Sequence, residues 1–128
     1  MENLSSTFVV MAPDQSATKV PVTPTVYEDL DRTFGDFKGH SLVAMHTFES
    51  DWPSWEIHPK GDEIVALVSG KAEMVFEKRE GKSEKRFVLE KPGDFIVVPR
   101  GTWHTAKISS RTVLMFVTPG EGTENRML

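Results

Sequence analysis

The stretch WEIHPKGDE, Trp55 to Glu63, decides how this chain is read. It sets Glu56 and His58 two residues apart and Glu63 five residues further on. In a β-strand, residues i and i+2 share a face, so a strand here projects Glu56 and His58 together into whatever the sheet encloses. A second stretch, PRGTWH, Pro99 to His104, brings in His104. One imidazole beside one carboxylate is commonplace. Two imidazoles and a carboxylate converging from separate strands make a divalent metal site of the 2-His-1-carboxylate kind.

Around these stretches the chain reads as β-structure. From about Ser41 onward, short apolar segments alternate with turn signals at intervals of roughly ten residues, the spacing of a sandwich or barrel and not of βαβ units. Strands are expected over 40–48, 63–68, 72–77, 86–89, 95–99, 104–108 and 112–118. The breaks fall at Asp51-Trp52-Pro53, Ser69-Gly70-Lys71, Glu80-Gly81-Lys82, Pro92-Gly93-Asp94 and Pro99-Arg100-Gly101. The charged run Glu77 to Arg86, in which Lys and Arg interleave with Glu, reads as a solvated hairpin.

The first forty residues differ. Thr7 to Met11 is a candidate strand, and Pro13 to Pro24 is a Pro/Ser/Thr-rich connector without periodicity. Thr25 to Leu30 is expected to form a short helical turn, with Thr25 as its cap and Glu28 three residues later. The expected division is therefore an arm and connector over 1–40 packing on the barrel, the barrel over 41–118, and a tail over 119–128. The Thr7–Met11 strand could also pair with the sheet edge of a second copy, which makes a homodimer the expected assembly. The turn-rich tail reads as a frayed terminus; folded over the barrel mouth instead, it would offer Glu124 or Arg126 to a ligand.

Composition narrows the function classes. The chain has 128 residues, 38% hydrophobic and 27% charged, which suits one globular domain. Fifteen basic against nineteen acidic residues give a net charge of −4, which argues against nucleic acid as a partner. No apolar run approaches the about 20 residues that cross a bilayer, so no membrane partner is expected. The absence of cysteine excludes disulfides and thiolate ligands, and fits a reducing, cytoplasmic setting.

The two stretches together resemble the motifs of the cupin superfamily, small all-β barrels of the double-stranded β-helix or jelly-roll type. In the first motif Glu56 stands at the first His, His58 at the second, Glu63 at the Glu and Gly70 at the closing Gly, with Ser50 in place of the opening Gly. In the second, Gly93, Pro99, Gly101 and His104 match, and Ile108 replaces the Asn. The resemblance spans residues 50 to 108 by motif and about 41 to 118 by strand pattern. It implies one divalent metal ion (Fe, Mn, Zn or Ni) held by Glu56, His58, Glu63 and His104. It also implies a pocket for a small organic molecule, with Phe48, Phe95 and Trp103 as candidate substrate-binding residues. Met45, Phe48, Phe95 and Met115 are expected in the core, and His40 and His46 in structural or surface roles.

Glu56 is the substitution that touches the chemistry. As a fourth ligand beside Glu63 it would make a divalent centre neutral, against +1 for three imidazoles and one carboxylate, and hard oxygen ligands suit manganese or ferrous iron better than copper. Left free, it would be a catalytic base whose pKa burial and Glu63 raise and the metal opposes. Without metal, two carboxylates so close would share a proton. Two functions follow from the resemblance: a metal-dependent enzyme, dioxygenase- or isomerase-like, or a non-catalytic small-molecule binding cupin, with or without metal. A metal-free isomerase needs a His or Tyr base, and Tyr27, the only tyrosine, is in the arm.

Overall fold

A computed structural model describes residues 1–77 and 83–128. The expected Glu80-Gly81-Lys82 turn lies outside the described residues. Among those described, eleven strands and one helix form two antiparallel sheets. In chain order these are β1 (Thr7–Met11), β2 (Ala17–Pro21), α1 (Val26–Thr33), β3 (Ser41–Phe48), β4 (Ser54–Ile57), β5 (Glu63–Ser69), β6 (Ala72–Phe76), β7 (Lys85–Leu89), β8 (Phe95–Val98), β9 (His104–Lys107), β10 (Thr112–Thr118) and β11 (Glu124–Met127). One sheet has the order β2-β1-β3-β10-β5-β8, the other β11-β4-β9-β6-β7.

Alternation along the strands explains how the sheets close on each other. In β5, Glu63, Val65 and Leu67 are buried while Ile64 and Val68 face out. In β10, Thr112, Leu114 and Phe116 are the buried set. Val65, Leu67, Leu114 and Phe116 meet Met74 and Ala106 of the facing sheet, and Trp52 of the β3–β4 connection, in one core. The hairpin at Gly70 allows only a glycine: its φ is +89°, and an added Cβ would lie 2.5 Å from the Arg111 carbonyl oxygen.

The arm departs from expectation. β1 pairs with β3 of its own chain, so this strand is already used within the subunit. The connector, expected to be irregular, contains β2, which pairs with β1 across the full length of both. The short turn is a two-turn helix whose buried Val26 and Leu30, four residues apart, close a second cluster with Phe8, Val10, Phe37, Leu42 and Ala44. Thr25 makes no backbone cap; its hydroxyl bonds the Asp29 carboxylate at 3.0 Å. The tail is not frayed, because Glu124 to Met127 pair with β4 as β11. Among the described residues no helix is long and apolar enough to cross a membrane.

Candidate metal centre

Glu56 on β4 sits directly opposite His104 on β9, which fixes their separation across the sheet. His58 follows β4 by one residue, and Glu63 opens β5. The loops carrying the two stretches are tied together: the Gly101 N–H donates to the His58 carbonyl (3.0 Å) and the Arg100 N–H to the Asp62 carboxylate (2.8 Å). As a result, one ligand atom from each of Glu56, His58, Glu63 and His104 falls within 4.8 Å of all the others. His58, Glu63 and His104 are buried; Glu56 keeps 31% of its side chain exposed and is the most open of the four.

Distances and hydrogen bonds show what the cluster lacks. His58 Nε2 is 2.9 Å from Glu56 and 3.3 Å from Glu63, and His104 Nε2 is 3.1 Å from Glu63. Yet His58 Nε2, His104 Nε2 and Glu63 Oε1 are buried without a hydrogen bond of good geometry. Such orphaned atoms call for an explanation, and a cation among them is one. The remaining atoms of the same side chains are fixed from outside. His104 Nδ1–H donates to the Thr102 carbonyl (3.0 Å), and His58 Nδ1 shares a hydrogen bond with the Thr123 hydroxyl (2.8 Å). That leaves each Nε2 facing the cluster. The Thr118 hydroxyl donates to Glu63 Oε2 (2.6 Å). Outer partners of this kind orient ligands and set imidazole tautomers at metal sites, so the donor set fits a divalent ion.

Without a metal, protons do the neutralising. Burial alone lowers the His58 pKa, but the carboxylates of Glu56 and Glu63, 2.9 and 3.3 Å from Nε2, reverse this and raise it to about 9. Burial would raise Glu63, and the two histidines instead hold it down at about 2. Metal ligation requires His58 to give up its proton.

The cluster opens into a cavity of about 720 Å³ lined by Glu56, His58 and Glu63. Of the expected lining residues, Phe48 stands in its wall, packed on Trp52 and Phe116. Trp103 does not line it; its ring faces outward beneath the Arg126 guanidinium, 4.6 Å from the ring centre, and Arg126 also pairs with Glu77. Phe95 lies elsewhere, 64% exposed on the edge strand β8, and is not a core residue because its neighbours Ile96 and Val98 take the inward positions. Met45 and Met115 are half-buried on the outer face. Three participants were not anticipated. Tyr27 and His46 line the cavity and bond to each other at 2.6 Å, and Thr123 reaches His58 from the tail. His46 shares its parity on β3 with Leu42, Ala44 and Phe48, a signal present in the sequence. Tyr27 and Thr123 had none, because the arm and tail have no periodicity that points at the barrel.

No protein-family model matches the chain, and no curated protein does. Solved structures do resemble it. A cupin-2 domain containing protein from Shewanella frigidimarina is 19% identical, with a TM-score of 0.52, over 62% of this chain and 70% of that one. Oxalate decarboxylase from Bacillus subtilis is 22% identical, with a TM-score of 0.56, over 69% of this chain but only 23% of the decarboxylase. Hydroquinone 1,2-dioxygenase from Sphingomonas is 16% identical, with a TM-score of 0.53, over 61% of this chain and 58% of that one. The chain has the fold of the cupin superfamily.

Proposed function

We propose that this protein binds one divalent metal ion through His58, Glu63, His104 and Glu56 and acts on a small organic molecule in the adjoining cavity, as a dioxygenase- or isomerase-like enzyme. The observation that carries this reading is the orphaned set His58 Nε2, His104 Nε2 and Glu63 Oε1, buried together while outer hydrogen bonds fix the rest of each side chain. Enzymes on the same fold, the oxalate decarboxylase with its Mn(II) centres and the hydroquinone dioxygenase, support the enzyme reading by analogy. When bound, the metal would supply Lewis acidity toward substrate oxygens.

The chain's own residues do the rest. Thr123 and Thr102 hold the imidazoles in the ligating orientation, and Thr118 holds Glu63. Glu56, the most open of the four, completes the set as fourth ligand and makes a divalent centre neutral, which favours manganese or ferrous iron. Phe48, Trp52 and Phe116 form an aromatic wall of the cavity. Metal analysis of protein purified without chelators, followed by oxygen uptake with ferrous iron and a panel of diketones and aromatic diols, tests this. Bound metal without turnover, and with ligands that still raise Tm, would assign the alternative, a binding cupin.

We also propose a homodimer, joined through the outer face of β5 and β8. Ile64, Val68, Phe95 and Val97 are 38–64% exposed there on an edge of the six-stranded sheet. Light scattering of the wild type and of Phe95→Glu decides it: the dimer should dissociate in the variant.

A further inference from the structure

The cavity has a second polar station besides the ligand cluster. Tyr27, on α1, and His46, on β3, both line it, with the phenol oxygen 2.6 Å from His46 Nε2. The His46 ring is packed among Phe8, Phe48 and Phe116 and stacks on Tyr27, which fixes the pair in place. Burial lowers the His46 pKa, with Glu56 opposing. Burial, then Glu56 and Glu63, push Tyr27 up to about 12. Both are therefore uncharged at neutral pH. Whichever of them donates, the phenol keeps a further position: its O–H if His46 Nε2 carries the proton, its lone pairs if not. A hydroxyl group serves either case, because it both donates and accepts.

The charges of the cavity point the same way. Its described lining contains Asp31, Asp36, Glu56 and Glu63, and among the described lining residues there is no lysine or arginine. A divalent ion cancels the two glutamates and leaves the two aspartates at the rim. Outside the ligand cluster no described lining residue offers a cation to a carboxylate substrate, which would enter against the field of the two aspartates. Aromatic side chains, Phe37, Phe48, Trp52 and Phe116, make up much of the wall, and flat rings stack on them favourably.

We infer that the cavity takes an uncharged, ring-bearing hydroxy compound, not a carboxylic acid, and that Tyr27, held by His46, binds a hydroxyl of it. The substrate class rests on the proposed function, but the selectivity belongs to the cavity walls and is readable with or without metal. Catechol and its carboxylate analogue 3,4-dihydroxybenzoate are titrated calorimetrically into the zinc-loaded protein and, in parallel, the metal-free protein. Catechol should bind at least about tenfold more tightly than the acid. Tyr27→Phe should weaken catechol by about 3- to 10-fold, the effect of one lost hydrogen bond, with metal content unchanged. Equal or tighter binding of the acid, an unaffected Tyr27→Phe, or no binding of catechol to either form would overturn the inference. A protein that takes no zinc but still ranks catechol first would contradict the metal reading and leave this one standing. His46→Gln, which retains a hydrogen-bonding nitrogen, should fall between wild type and Tyr27→Phe.

Discussion

Thr123, in the tail, lies 2.8 Å from His58 Nδ1, a contact across 65 residues of sequence. It ties the last strand of the chain to the proposed metal centre, since Thr123 immediately precedes β11. A hydroxyl in this position fixes the imidazole plane, and outer partners of this kind are worth about 10- to 100-fold in metal affinity. Thr123→Val should therefore weaken metal binding by about that factor while leaving the fold intact. Competition against a chromophoric chelator measures the first, and the far-ultraviolet circular dichroism spectrum checks the second.

Metal affinity should depend steeply on pH. His58, raised to about 9 in the metal-free protein, must lose a proton before it can ligate. Below that value apparent affinity should rise by roughly tenfold per pH unit for the one proton displaced. A flat profile between pH 6.5 and 9 would show that His58 is not protonated in the metal-free state.

The stability of the metal-free protein follows from the same groups with opposite signs. The folded pKa of His58 exceeds its ordinary value of 6.5, so its contribution is fully present below pH 6.5 and is lost as pH rises through about 9. The folded pKa of Glu63 is depressed from 4.5 to about 2, so its contribution is present above pH 4.5 and is lost as pH falls through about 2. Thermal melting of chelator-treated protein should give its highest Tm between pH 4.5 and 6.5, with a decline on both sides.

Glu56→His would turn the ligand set into three imidazoles and one carboxylate and raise the charge of a divalent centre by one. Nitrogen for oxygen should shift preference away from manganese and toward nickel and copper. Paired competition titrations with manganese and nickel read this as a change in their affinity ratio; an unchanged ratio would mean that Glu56 is not a ligand.

Gly70→Ala should destabilise the fold by about 1–3 kcal/mol, because it combines a left-handed φ with a Cβ placed 2.5 Å from a backbone oxygen. Urea denaturation measures it. A loss under 0.5 kcal/mol would mean that the hairpin relaxes around the new side chain.

The barrel was legible in the sequence because its strands alternate. Glu63, Val65 and Leu67 point inward with period two, and the turn residues mark each end. The four candidate ligands were legible because Glu56, His58, Glu63 and His104 stand at the positions of the two cupin motifs. What surrounds them was not. β2 and β11 contain Lys19, Glu124 and Arg126 and bury almost nothing, so no apolar pattern announces them; pairing with β1 and β4 alone makes them strands. Phe95 misled because an aromatic beside a buried-type run looks like core, whereas β8 is an edge whose inward residues are Ile96 and Val98. Tyr27 reaches the cavity only because Val26 and Leu30 dock the helix on the first strands, a tertiary contact that no local spacing encodes.

The central claim is tested most directly by elemental analysis of the protein purified without chelators, beside His58→Ala and His104→Ala prepared identically. About one equivalent of a divalent metal per wild-type chain is expected, with most of it lost in both variants. Wild-type protein that neither carries metal nor takes up manganese, iron or zinc on addition, or variants that bind it as well as the wild type, would contradict it.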